Sequence, residues 1–109
     1  MLDTEYKFGE VMELASLIDY GTDRVEFNRV FENEHGGVTL LAFRAGQKLD
    51  EHIAPAELMV MVIEGEIEFT MIDTIHVIRP GNFMLIGANV PHKVLARKDS
   101  KVALIKVKP

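Results

Sequence analysis

Apolar residues recur along this chain first at helical spacing and then, for most of its length, at every second position. Between Phe8 and Ile18, the residues Val11, Leu14, Ala15 and Ile18 stand at i, i+3, i+4 and i+7. That spacing predicts about two turns of amphipathic helix with one face laid on a larger body. Tyr20-Gly21-Thr22-Asp23 ends it. From Arg24 the period changes to two: Val25, Phe27, Arg29 and Phe31 alternate with Arg24, Glu26, Asn28 and Val30, as in a half-buried strand. The turn Asn33-Glu34-His35-Gly36-Gly37 follows, and residues 38–44 read as a second strand, so the two together predict a hairpin.

Ala45-Gly46-Gln47 is the next turn, and the segment from His52 to Phe69 is interrupted by Pro55 and by Glu64-Gly65-Glu66. Leu58-Met59-Val60-Met61-Val62-Ile63 is apolar at every position, which calls for cover on both faces of the strand. Ile67, Phe69 and Met71 instead alternate with Glu66, Glu68 and Thr70. Short strands are predicted over 75–79, 83–86, 93–97 and 102–107, separated by Pro80-Gly81-Asn82, by Gly87-Ala88-Asn89-Val90-Pro91 and by Lys98-Asp99-Ser100. Many short strands with frequent turns point to an all-β sandwich or barrel over 23–109, preceded by an arm over 1–22 that carries the short helix.

Composition narrows the classes of function. The chain has 109 residues, 48% hydrophobic and 27% charged, a balance suited to one globular domain. Its formal net charge is −5, and its lysines gather toward the C-terminal strand, which argues against a nucleic-acid partner. Acidic residues stand where a secretory leader needs basic ones, and no apolar run approaches the ~20 residues that span a bilayer. A cytoplasmic protein without membrane contact is the expectation. There is no cysteine, so any metal must rest on nitrogen or oxygen, and there are four histidines.

Two segments resemble the signature motifs of the cupins. Gly46-Gln47-Lys48-Leu49-Asp50-Glu51-His52, running on to Val62-Ile63-Glu64-Gly65-Glu66, resembles the first; Arg79-Pro80-Gly81-Asn82, running to Ala88-Asn89-Val90-Pro91-His92, resembles the second. The resemblance implies an antiparallel jelly-roll barrel with a short N-terminal helix. Gly65 and Gly81 fall where its hairpins reverse and positive φ is often needed. In its usual form the family holds a metal with three histidines and a Glu or Gln. Two of those histidines are spaced i, i+2, so that both rings enter the lumen. By that correspondence His52 fills the first ligand position and His92 the last, while Ala54 and Leu58 occupy the other two and cannot ligate. Glu57 is the nearest replacement carboxylate, one residue out of phase with Leu58. Glu51-His52-Ile53-Ala54-Pro55-Ala56-Glu57 also resembles a pattern shared by small cupins that lack the second histidine and are mostly assigned no reaction.

If Ala54, Leu58, Val60 and Val62 face the lumen with Val94 and Ala96, the cavity is apolar with His52 and His92 at its mouth, the general make-up of a small-molecule site. Two functions of different class follow. One is a binding module that holds a small ligand through His52, His92, Leu58 and Val60. The other is a metal-dependent enzyme, an oxygenase or isomerase, with zinc, iron, manganese or nickel on His52, His92 and Glu57 or water. His35 reads as a solvated turn residue, His76 as a sheet residue, the methionines as packing, and Glu64 and Glu66 as turn carboxylates rather than an acid–base pair. The resemblance and the doubly apolar strand together predict a homodimer.

Overall fold

The computed structural model describes residues 1–109. Nine strands, β1 (Glu26–Asn33), β2 (Gly36–Phe43), β3 (Lys48–His52), β4 (Glu57–Glu64), β5 (Ile67–Met71), β6 (Thr74–Ile78), β7 (Phe83–Ile86), β8 (His92–Ala96) and β9 (Ser100–Val107), form two sheets. The larger runs β1-β2-β9-β4-β7 and the smaller β3-β8-β5-β6. All their pairings are antiparallel. Non-consecutive neighbours in both sheets give the jelly-roll connectivity. The β1–β2 hairpin and the strands after Pro55 lie close to where the period-two pattern predicts them. β3 escapes that pattern because only Leu49 in it is apolar, and the strand is held by pairing with β8 rather than by burial.

The larger core lies between the sheets, where Leu41, Phe43, Leu58, Val60, Val62 and Val102 meet Ile67, Phe69, Ile78, Val94 and Ala96. Buried residues run without a break from Leu40 to Phe43 because β2 is covered on both sides. Leu41 and Phe43 face the other sheet, whereas Leu40 and Ala42 join Ala103 and Ile18 in a second cluster on the outer surface, with Leu17, Tyr20, Met61 and Ile63 packed against it. The outer-face cover that the apolar strand β4 demands is thus supplied over Met61 and Ile63 by the cluster that the chain's own N-terminal arm completes. Met59, Phe83, Leu85 and Val107 lie beyond its reach, the last three exposed.

The expected N-terminal helix is not formed. A single 3-10 turn over Leu14–Leu17 takes its place, entered from Glu13 without a side-chain cap and left in extended conformation at Ile18. Two turns of isolated helix are marginal, and here tertiary bonds take the carbonyls that a continuing helix would use. Lys101 Nζ donates to Ala15 O and Asn28 Nδ2 to Leu17 O, both at 2.6 Å. The arm lies along the sheet as an extended strap. Farther back, Thr4 Oγ1 donates to Val30 O at 2.6 Å and Asp3 bridges Glu32.

Both glycines singled out at the hairpins adopt positive φ, +90° at Gly65 and +88° at Gly81. At Gly65 space is limiting as well, since a Cβ there would lie 2.3 Å from Asp99 O and from Ser100 Oγ. The carboxylates on either side of it are engaged in structure. Glu64 accepts from the Tyr20 hydroxyl at 2.6 Å, and Glu66 accepts from Arg79 at 2.9 Å and Arg97 at 3.2 Å. The Arg97 and Arg79 guanidiniums hold the Glu66 carboxyl below its ordinary pKa. Neither glutamate approaches a histidine, and the turn is a tie between the arm, β5 and β8.

Candidate functional site: a histidine pair at the barrel mouth

His52 is the last residue of β3 and His92 the first of β8, and the register places them directly opposite each other. Facing positions on a strand pair carry side chains on the same side of the sheet, so both rings stand at one end of the lumen. They meet edge to face, with centroids 4.3 Å apart and an interplanar angle of 67°. β5 runs along the other edge of β8, which lays the Phe69 ring almost parallel to His92 at 5.2 Å and 17°. The loop before β8 is docked by the Asn89 N–H, which donates to Ala54 O at 2.8 Å, with Asn89 itself at φ +63°.

The two imidazoles are oriented alike. His52 Nδ1 donates to Asp50 O and His92 Nδ1 to Val90 O, each at 2.9 Å. A carbonyl can only accept, so Nδ1 carries the hydrogen in each ring, and a neutral ring then has its lone pair on Nε2. No protein group meets the Nε2 of His92, although that residue is only 3% exposed. Every fully buried side-chain nitrogen or oxygen has a partner, so this Nε2 retains some accessible surface, and His92 is among the residues that line the cavity. Burial depresses the His92 pKa, and the neighbouring His52 adds to the effect against the opposing pull of the Val90 carbonyl. Burial thus favours the neutral form of His92, whose Nε2 accepts.

The cavity beneath the pair is small, about 20 Å³, and is walled by Leu49, Phe69, Val60, Val94 and Leu104 besides the two histidines. It holds about one water or one hydroxyl group. Val60 lines it as expected; Leu58 is buried, at 6% exposed, but in the core and not in the cavity wall. Glu57 does not join the histidines. It is exposed and borders a groove on the outer surface with Met59, Leu85 and Ile105. Ala54 stands beside the site without a donor atom, and no group of three His, Cys, Asp or Glu side chains converges anywhere in the fold. The donor set therefore does not fit the three- or four-ligand metal centre that the family's usual pattern implies.

His35 is exposed in its turn, and His76 is half-buried on β6 opposite Phe69, away from the mouth. Met71 and Met84 pack against the larger core and Met61 against the smaller. Leu49, Phe69 and Leu104 are among the wall residues that sequence reasoning did not assign to the site. The alternation of Ile67, Phe69 and Met71 carries the inward direction of Phe69, but only the β5–β8 register sets it against His92.

The cupin domain family matches residues 39–108, more than half of the chain and all of the strands that build the site. The chain belongs to the cupin family. Solved structures agree over nearly its whole length. A cupin superfamily protein from Desulfitobacterium hafniense superimposes with a TM-score of 0.89 at 18% identity, covering 100% of this chain and 99% of that one. A conserved protein of unknown function from Streptococcus pyogenes gives 0.87 at 22% identity, with 95% and 91% covered. An RmlC-like cupin from Desulfovibrio desulfuricans gives 0.80 at 28% identity, with 90% and 95% covered. None of the curated proteins compared with this cupin matches it. No helix of the fold is long and apolar enough to cross a membrane.

Proposed function

We propose that this cupin is a small-molecule binding module in which the buried His92 accepts a hydrogen bond from a ligand hydroxyl seated in the cavity beneath the histidine pair, with the His52 ring flanking it. The observation that carries the reading is the shared orientation of the rings. With each Nδ1 committed to a backbone carbonyl, the Nε2 positions remain for a ligand. Apolar walls leave a competing water few hydrogen-bond partners, and the cavity volume of about 20 Å³ selects a single hydroxyl over a larger group.

A metal-dependent reaction at the same place needs donors from outside the protein to complete the coordination, because Ala54, Leu58 and the outward Glu57 supply none. Metal analysis and titration with Ni²⁺ and Zn²⁺ separate the readings. The binding module predicts substoichiometric metal after purification without chelator, and weak uptake. Tight one-to-one metal that is lost in His52→Ala and His92→Ala overturns it in favour of metal chemistry.

The assembly proposed with this function is a homodimer. Its support is the part of the outer face that the arm leaves bare, where Phe83, Leu85 and Val107 are exposed beside Met59 and Ile105.

A further inference from the structure

Beyond the histidine pair, the inner face of the larger sheet continues into a second concavity of about 210 Å³, lined by Phe27, Phe31, Gly37, Thr39, Leu104 and Lys106, with Glu32 at its border. Leu104 belongs to the walls of both spaces, and its side chain lies between them. Its make-up differs from that of the cavity. Phe27 presents an aromatic ring that is 59% exposed in a concave surface, and the Thr39 hydroxyl and the Lys106 ammonium stand on neighbouring strands of the same wall.

The polar groups here are unequally satisfied. Glu32 is engaged by Arg29 at 3.5 Å and Lys108 at 3.9 Å, and Arg29 also pairs with Asp3 at 2.9 Å. Lys106 pairs with no carboxylate. Thr39 makes no side-chain hydrogen bond. Arg29 and Lys108 thus take up Asp3 and Glu32, while Lys106 has no paired carboxylate in a chain whose formal net charge is −5. A half-buried lysine whose ammonium pairs with no carboxylate, beside a free hydroxyl and an exposed aromatic residue, is suited to a monoanion with an apolar body.

We infer that Lys106 and Thr39 form an anion-anchoring subsite, and that the ligand is a hydroxycarboxylate whose carboxylate binds there while its hydroxyl reaches the His52–His92 pair. The inference rests on the proposed role of the histidine pair as the site of the ligand hydroxyl. Lys106 lies two residues beyond Leu104 on β9, about 7 Å along the strand, so several bonds must separate the two ligand groups. The intervening carbon chain runs over Leu104 and under Phe27.

The test uses the full chain, with 4-hydroxybutyrate and 6-hydroxyhexanoate as probes against 1,4-butanediol and 1,6-hexanediol, followed by NMR of the histidine rings and of the Lys106 and Thr39 side chains. At least one hydroxycarboxylate is expected to bind tenfold or more tightly than its diol and to shift both sets of signals. Lys106→Met is expected to reduce it to the affinity of the diol, Thr39→Val to weaken it less, and Lys106→Arg to restore most of the binding. Both altered positions border the open groove, and thermal unfolding of each variant checks that the fold is intact. Equal affinity of acid and diol, with the histidine signals moving, overturns the anion subsite and leaves the histidine reading standing. Carboxylate binding that depends on Lys106 but leaves both histidines unmoved overturns the histidine reading while the anion subsite holds. Absence of any response to all four probes overturns both.

Discussion

The ring of His52 meets that of His92 edge to face at 4.3 Å across the β3–β8 pair, and the inner ring of the two is the one whose protonation burial opposes. His92 binds a proton less readily folded than unfolded, so the unfolded chain holds more protons between the depressed folded value and the ordinary value of 6.5. Stability from this group is complete above about 6.5 and declines as pH falls through that window. Thermal unfolding should therefore show a midpoint that drops between pH 7 and 5, and His92→Phe should flatten that slope. Glu66 and Asp99 act in a separate window, present above their unfolded values of 4.5 and 3.8 and lost below them. A slope that His92→Phe leaves unchanged would place the acid sensitivity elsewhere.

Gly65 combines a backbone at φ +90° with no room for a methyl group against the Asp99 carbonyl and Ser100. Gly65→Ala should cost at least about 2 kcal/mol, read as a lower denaturation midpoint at constant m-value. Gly81→Ala meets open space at a similar φ and should cost less, because only the conformational strain remains.

Tyr20 anchors the arm through its bond to Glu64, with Arg44 and Lys101 each 5.1 Å from the ring centre. Burial and the hydrogen bond to Glu64 push its hydroxyl pKa upward, so it donates throughout the accessible pH range. Tyr20→Phe should cost about 1 kcal/mol, and Tyr20→Ala more. Hydrogen exchange should then rise over residues 14–20 before the barrel strands respond. Uniform acceleration across all strands would mean that arm and barrel unfold as one unit.

The exposed Leu85 and the half-buried Ile105 beside it on the bare outer surface should govern self-association. Wild-type protein is expected to elute as a dimer at micromolar concentration, and Leu85→Glu with Ile105→Glu as a folded monomer. A wild-type monomer under those conditions refutes the proposed assembly.

Much of the architecture can be read directly from the chain. Period-two alternation and Gly/Pro turns mark the β1–β2 hairpin and most later strands, because a strand with one wet face must alternate. The unbroken apolar stretch of β4 announces cover on its outer face, which the fold supplies over Met61 and Ile63. β3 carries no such signal, since a strand held by an edge pairing with little burial leaves no trace in hydrophobic periodicity. The site divides in the same way. The motif positions of His52 and His92 single out the pair, and the out-of-phase position of Glu57 anticipates that it points outward.

Tertiary structure alone decided the rest. Helical spacing in the arm was overruled by Asn28 and Lys101, which capture the carbonyls of Leu17 and Ala15 and hold the segment extended. Those contacts join residues far apart in the chain and cannot be inferred from local pattern. The same holds for Phe69 against His92 and for the uncompensated Lys106 beside Thr39, each set by strand register. Local sequence determined which residues lie on which face of each strand, because side chains alternate by covalent geometry. Which faces meet, and so which charges and lone pairs are left unpartnered, was determined only when the sheets packed.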